Sequence, residues 1–111
     1  MTKVEVFKKD GKIMKVTANG HSGYGVAGED IVCAGVSSII QTAMLGLIGV
    51  VKIPGCIKKD EQNVTMEINL PDDMPDDKMH DAQVILETML CGISDLHVGF
   101  SDFIELEVKS L

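Results

Sequence analysis

Tryptophan is absent and tyrosine occurs once, so aromatic residues make up only 4% of this 111-residue chain. Its core must therefore be built from valine, isoleucine, leucine and the seven methionines, and a 45% apolar content is enough for one two-layer domain spanning 1–111. Cations are scarce as well: ten Lys and Arg against seventeen Asp and Glu leave a formal charge of −7. That balance argues against direct nucleic-acid binding, which needs basic side chains clustered along phosphates, and suits a surface that steers a basic partner. Only three cysteines occur, at 33, 56 and 91, with no Cys-x-x-Cys pair, so neither a zinc ribbon nor a dithiol redox motif is indicated. Met-Thr-Lys-Val-Glu-Val at the N-terminus lacks the apolar run of a secretory leader. A reducing cytoplasm is the expected setting for such thiols. There is no internal repeat and no low-complexity tract.

One long uncharged run does occur, Ile31 to Val51, and its length would cross a bilayer. Ser37, Ser38, Gln41 and Thr42 interrupt it, and its flanks read as soluble structure. The expectation is a core helix sandwiched between a sheet and another layer, with no membrane partner.

Taken in order, residues 3–8 and 12–19 read as strands around an Asp10-Gly11 turn. A loop over 20–29 holds Gly20, Gly23, Gly25 and Gly28. The first helix is expected from Ile31, with Asp30 as its N-cap and Cys33 in its first turn, ending at Lys52-Ile53-Pro54-Gly55. A third strand alternates over 62–70 and stops at Pro71. The acidic stretch 72–77 leads into a second helix running to about Leu90, with Gly92 as its C-cap. A last strand region over 96–109 turns Ile104, Leu106 and Val108 inward. The order β-β-α-β-α-β predicts an α+β domain with a mostly antiparallel sheet and two helices.

Cys33 is the candidate nucleophile, because a thiol on the first helical turn feels the positive end of the helix, which favours the thiolate. His21, carried by the glycine-rich loop, can fold back to take the thiol proton. On spacing alone two readings stand: an activated thiol, or a small core cysteine beside a loop histidine that caps the backbone. Asp30 likewise either caps the helix or orients His21. Ser37, one turn after Cys33, shares its face and offers either a supporting hydrogen bond or a back-bond to a helix carbonyl. Tyr24 either meets substrate or packs the loop down. Cys56 and Cys91 read as structural thiols, His80 as a solvated helix residue, and His97 as a structural residue at a strand start. A metal held by His21, Asp30 and Cys33 lacks a fourth soft ligand at a recognisable spacing, and no cofactor is implied.

Gly20-His21, followed by Asp30-Ile31-Val32-Cys33-Ala34-Gly35-Val36-Ser37, resembles the signature of the ribosomal-processing cysteine protease (Prp) family. Length, opening hairpin and the two helices are also similar, so the resemblance covers essentially the whole chain. One departure is Ser22, where family members often carry alanine. The resemblance implies a cytoplasmic, homodimeric cysteine endopeptidase that removes the N-terminal extension of large-subunit ribosomal protein twenty-seven, cutting after aromatic residues. It implies Cys33 as nucleophile and His21 as general base, with Asp30 and Ser37 in support. Gly20, Ser22, Gly23 and Tyr24 would form the hinged, substrate-binding loop. The amides around Cys33 and Ala34 are oxyanion candidates. A second reading is a non-catalytic, ribosome-associated module that binds a peptide.

Overall fold

The computed structural model describes residues 1–20 and 29–111, with Glu29 and Asp30 described in their backbone only. β1 (Thr2–Lys9) and β2 (Lys12–Asn19) form the opening hairpin. Asp10 and Gly11 both take positive φ, 53° and 80°, as the tight turn expected of an Asp-Gly pair requires. The hairpin register slips between Phe7 and Lys8, so Ile13 and Met14 are both buried on a bulge. Gln83 holds that bulge from the helical layer: its Oε1 accepts from Ile13 N at 2.7 Å, and its Nε2 donates to Ile13 O at 2.8 Å. The irregular backbone thus keeps both of its hydrogen bonds.

The chain then forms α1 (Glu29–Leu45), which continues through a π-helical turn at Gly46–Val50. Val51 N bonds Gly46 O at 3.0 Å, and Lys52, at φ 66°, turns the chain out of the helix. Next come β3 (Ile57–Asp60), β4 (Thr65–Asn69), α2 (Asp76–Gly99) and β5 (Ile104–Ser110). Sheet order is β3-β4-β2-β1-β5, antiparallel throughout except that β1 and β5 run parallel. The α+β class with a mostly antiparallel sheet is therefore the observed one.

One sheet face carries the core and the other is wet. Val4, Val6, Val16, Ile68 and Ile104 meet Val36, Ile40, Leu47, Leu86 and Ile93 in a single cluster, each at most about 1% exposed. Each such Ile or Leu contributes roughly 1.5–3 kcal/mol by burial. Across the other face, Lys109 pairs with Glu5, and Lys15 pairs with Glu67 at 3.3 Å. The Lys109 bond, foremost, holds the Glu5 carboxyl below its usual range.

α1 and α2 pack antiparallel, with glycines of the one helical segment facing large residues of the other: Gly35 faces Leu96, Gly92 faces Ile39, and Gly46 faces Ile85. Several expectations are corrected here. α1 begins at Glu29, so Asp30 is its second residue and not its N-cap. Among the described residues α1 has the sheet on one side only: Leu45 and, in the π-helical turn, Val50 are 72% and 78% exposed, and no described layer covers them. A strand at 57–60 was not expected: mostly exposed and lysine-bearing, it owes its form to pairing with β4 and shows no alternation of its own. Gly92 lies inside α2, whose stripe runs on through Ile93 and Leu96 to Gly99; residues 96–99 are therefore helix, and His97 sits in its last turn. Cys91 is exposed on that helix, and Val108 is exposed on β5.

A helix-interior Gly92 gives a clear test. A Cβ there would meet Ile39 Cδ1 at 3.5 Å, an ordinary contact. Gly92→Ala is thus expected to stabilise the fold by up to about 1 kcal/mol through helix propensity, read by urea denaturation. A helix-ending glycine at this position would give a loss instead.

Candidate active site

Alternation along β1 places Thr2, Val4 and Val6 on the helix-facing side, and all three are buried. On α1, Val32 and Val36 point to the sheet and are buried, so Cys33, one step round from Val32, falls at the margin and is half-buried. The two rows meet there: Thr2 Oγ1 lies 2.6 Å from Cys33 Sγ. Around that contact opens a cavity of about 360 Å³, with Ala18, Val36 and Met66 as an apolar floor and the β3–β4 turn as its rim.

Ser37 lines the same cavity, one turn beyond Cys33. Its partners are side chains and not a helix carbonyl: Gln41 Nε2 donates to its Oγ at 2.7 Å, and its own hydroxyl points to Met66 Sδ at 4.0 Å. Lys59 Nζ in turn donates to Gln41 Oε1 at 3.0 Å, tying β3 to α1 across the cavity mouth. The rim itself is shaped by Asp60, whose Oδ1 accepts from the amides of Gln62 at 3.1 Å and Asn63 at 3.2 Å. Asn63 Nδ2 donates to Asp60 Oδ2 at 2.7 Å, and this side-chain bond is the main reason the Asp60 carboxyl is held below its ordinary range.

Gly20 closes the end of β2 against the site: its amide donates to Val64 O at 3.0 Å. Its φ lies outside the left-handed region, and a Cβ would sit 3.4 Å from Val64 Cγ1 and 3.9 Å from Thr2 Oγ1. Glycine is therefore not demanded by this arrangement of the backbone. His21, Ser22, Gly23 and Tyr24 lie outside the described residues, as does the side chain of Asp30.

The structure alters the electrostatic account of the thiol. Cys33 is the fifth residue of α1, so it stands in the second turn, where the pull of the helix N-terminus has largely faded. By the same count, the Cys33 and Ala34 amides belong to the helical ladder and are directed to the carbonyls four residues back. The free amide that made Ala34 an oxyanion candidate is thereby spent within the helix. Thr2 is the site residue that sequence reasoning missed, and its signal was a polar residue two positions before Val4 in an otherwise apolar row. Of the other thiols, Cys56 is buried, with Sγ donating to Ile53 O at 3.4 Å, and burial pushes it up. Cys91, read from the sequence as a structural thiol, is exposed on α2.

Comparison with known proteins bears on this constellation. The family model described as Cysteine protease Prp matches residues 1–105. The ribosomal processing cysteine protease Prp of Staphylococcus aureus (strain Mu50 / ATCC 700699) is 31% identical over 100 residues, covering 90% of this chain and 91% of that one. A crystal structure of the essential ribosomal processing protease Prp from S. aureus with a substrate peptide superposes with a TM-score of 0.86 at 29% identity, over 97% of this chain and 99% of that one. A second, with a covalently linked product peptide, gives 0.80 at 30% identity over the same shares.

The Asp60 bonds make a pH prediction. A carboxyl with a lowered folded-state pKa stabilises the rim above the unfolded-state value, and that stability is lost as pH falls through the lowered value. Amide resonances of Gln62 and Asn63 are expected to hold steady as pH falls from neutral through the ordinary range of an aspartate, and to move together only below it. In Asn63→Ala the same movement should begin at higher pH; an unchanged titration would refute the role given to Asn63.

Proposed function

Because this chain belongs to the cysteine protease Prp family and is a cysteine protease, we propose that Cys33 is its nucleophile and His21 its general base. The substrate is the precursor of large-subunit ribosomal protein twenty-seven, whose N-terminal extension is removed by one cut after an aromatic residue. Cys33 supports the nucleophile reading as the half-buried thiol at the margin of an open, apolar-floored cavity. S. aureus Prp, crystallised with a covalently linked product peptide, supports covalent chemistry in this fold.

His21 takes the thiol proton as sulfur attacks the scissile carbonyl carbon, giving a tetrahedral oxyanion. The C–N bond then breaks, the imidazolium returns its proton to the departing amine, and a thioester remains on Cys33. Water, deprotonated by the imidazole, attacks that thioester; the carboxylate product leaves and the thiol is restored. Ala18, Val36 and Met66 form an apolar seat for the side chain preceding the cut. Ser37, with Asp30, supports the site, Gly20 serves as hinge for the loop of Ser22, Gly23 and Tyr24, and the −7 charge attracts a basic precursor.

The protein works in the cytoplasm, where its three thiols persist, and as a homodimer. Support for a dimer comes from the outer face of the helices, where Leu45, Val50 and Val84 are exposed beside a groove floored by Ile39, Ala43 and Met89.

Two experiments test this reading. Cys33→Ala is expected to lower kcat on a precursor peptide by more than about 10⁴-fold while peptide binding survives; cleavage at an undiminished rate would remove Cys33 from the nucleophile's place. Sedimentation should find a dimer that Val50→Glu converts to monomer. A wild-type protein monomeric at every concentration would sink the dimer.

A further inference from the structure

We propose that Thr2 is a positioning residue for the nucleophile: its hydroxyl holds the Cys33 sulfur in line and donates to it once the thiol proton has gone. This rests on the reading of Cys33 as nucleophile. Thr2 occupies a place in the row Thr2-Val4-Val6 where the pattern asks for an apolar side chain, and it is only 4% exposed. A hydroxyl buried there requires a partner, and Cys33 Sγ at 2.6 Å supplies one. The main chain beneath it is fixed, since Thr2 N donates to Phe103 O at 2.9 Å and Thr2 stands opposite Ile104 in the parallel β1–β5 pair. β-Branching further restricts the rotamer, so the oxygen has little freedom to leave.

A threonine hydroxyl both donates and accepts. Beside the neutral thiol it can take either role. When the sulfur is anionic, only donation from Thr2 remains, and a bond to a charged acceptor is roughly twice as strong as a neutral one. No bond of Thr2 is made or broken in the reaction; its hydrogen bond strengthens as the sulfur gains charge and relaxes when the thioester forms. The second-turn position of Cys33 makes this donor more significant, because the helix N-terminus contributes little at that distance. Gly20 adds a spatial condition: the oxygen lies 3.9 Å from where a residue-20 Cβ would be, at the base of the segment that leads to His21.

The test compares Thr2→Val, which keeps the shape and removes the hydroxyl, with Thr2→Ser, which keeps the hydroxyl and removes the methyl. Thr2→Val is expected to lower kcat on the precursor peptide about ten- to a hundredfold, with KM changed less than about twofold. Iodoacetamide labelling of Cys33, followed peptide by peptide because Cys91 is exposed, should slow in parallel. Thr2→Ser should restore both rates to within about threefold. If Thr2→Val melts early, Thr2→Ala replaces it, and Ser against Ala asks the same question. Wild-type rates in Thr2→Val, or Ser as slow as Val or Ala in folded protein, would overturn the proposal. Slowed labelling with unchanged cleavage would instead count against Cys33 as nucleophile, which Cys33→Ala reports separately.

Discussion

The seating of α1 on one face of the sheet is the constraint on which the site depends. Val32, Val36, Ile40 and Leu47 must reach the strands to be buried, and this fixes the rotation of the helix about its axis. Given that rotation, Cys33 has one place available, at the edge where helix meets the end of β1. A thiol one step toward the sheet would be sealed like Cys56; one step away it would be exposed like Cys91. Half-burial at the margin leaves the sulfur reachable from the cavity while protein groups still touch it.

Two consequences run from this seat into the chemistry. First, the sulfur is served by a strand hydroxyl more than by a helix end, because α1 starts four residues ahead of Cys33. Second, the Lys59–Gln41–Ser37 chain binds the β3–β4 rim to the same helix, so the cavity wall and Cys33 share one element. Sites carried on regular structure hold their geometry better than sites carried on loops alone. Here the described residues of the site lie on α1, on strands and on the turn that joins β3 to β4.

The outer surface of the helical layer poses a different physical problem. Ile31–Val50 is long and apolar enough to cross a membrane, yet its inward residues are committed to the core. Its outward residues, Leu45 and Val50 among them, remain exposed beside Val84 of α2.

Much of the fold was legible in local pattern. The Asp10-Gly11 turn, the alternation of β1, β2 and β4, and the uncharged run of α1 each carry their own signal within a few residues. Cys33 as the thiol to watch, with Ser37 on its face, was legible for the same reason, through helical spacing. What escaped depends on partners distant in sequence. β3 exists because β4 pairs with it, and Gly92 lies against Ile39 of α1 within a helix that runs on to Gly99. The layer expected to cover α1 was inferred from apolarity alone, which cannot tell a buried face from one left for a partner. By itself, then, the sequence determined the opening hairpin, the two helices and the helical face that Cys33 shares with Ser37. Only the tertiary structure decided that Thr2, thirty-one positions from Cys33, would reach its sulfur, because burial of two apolar rows, and no local preference, brings strand and helix to that one contact.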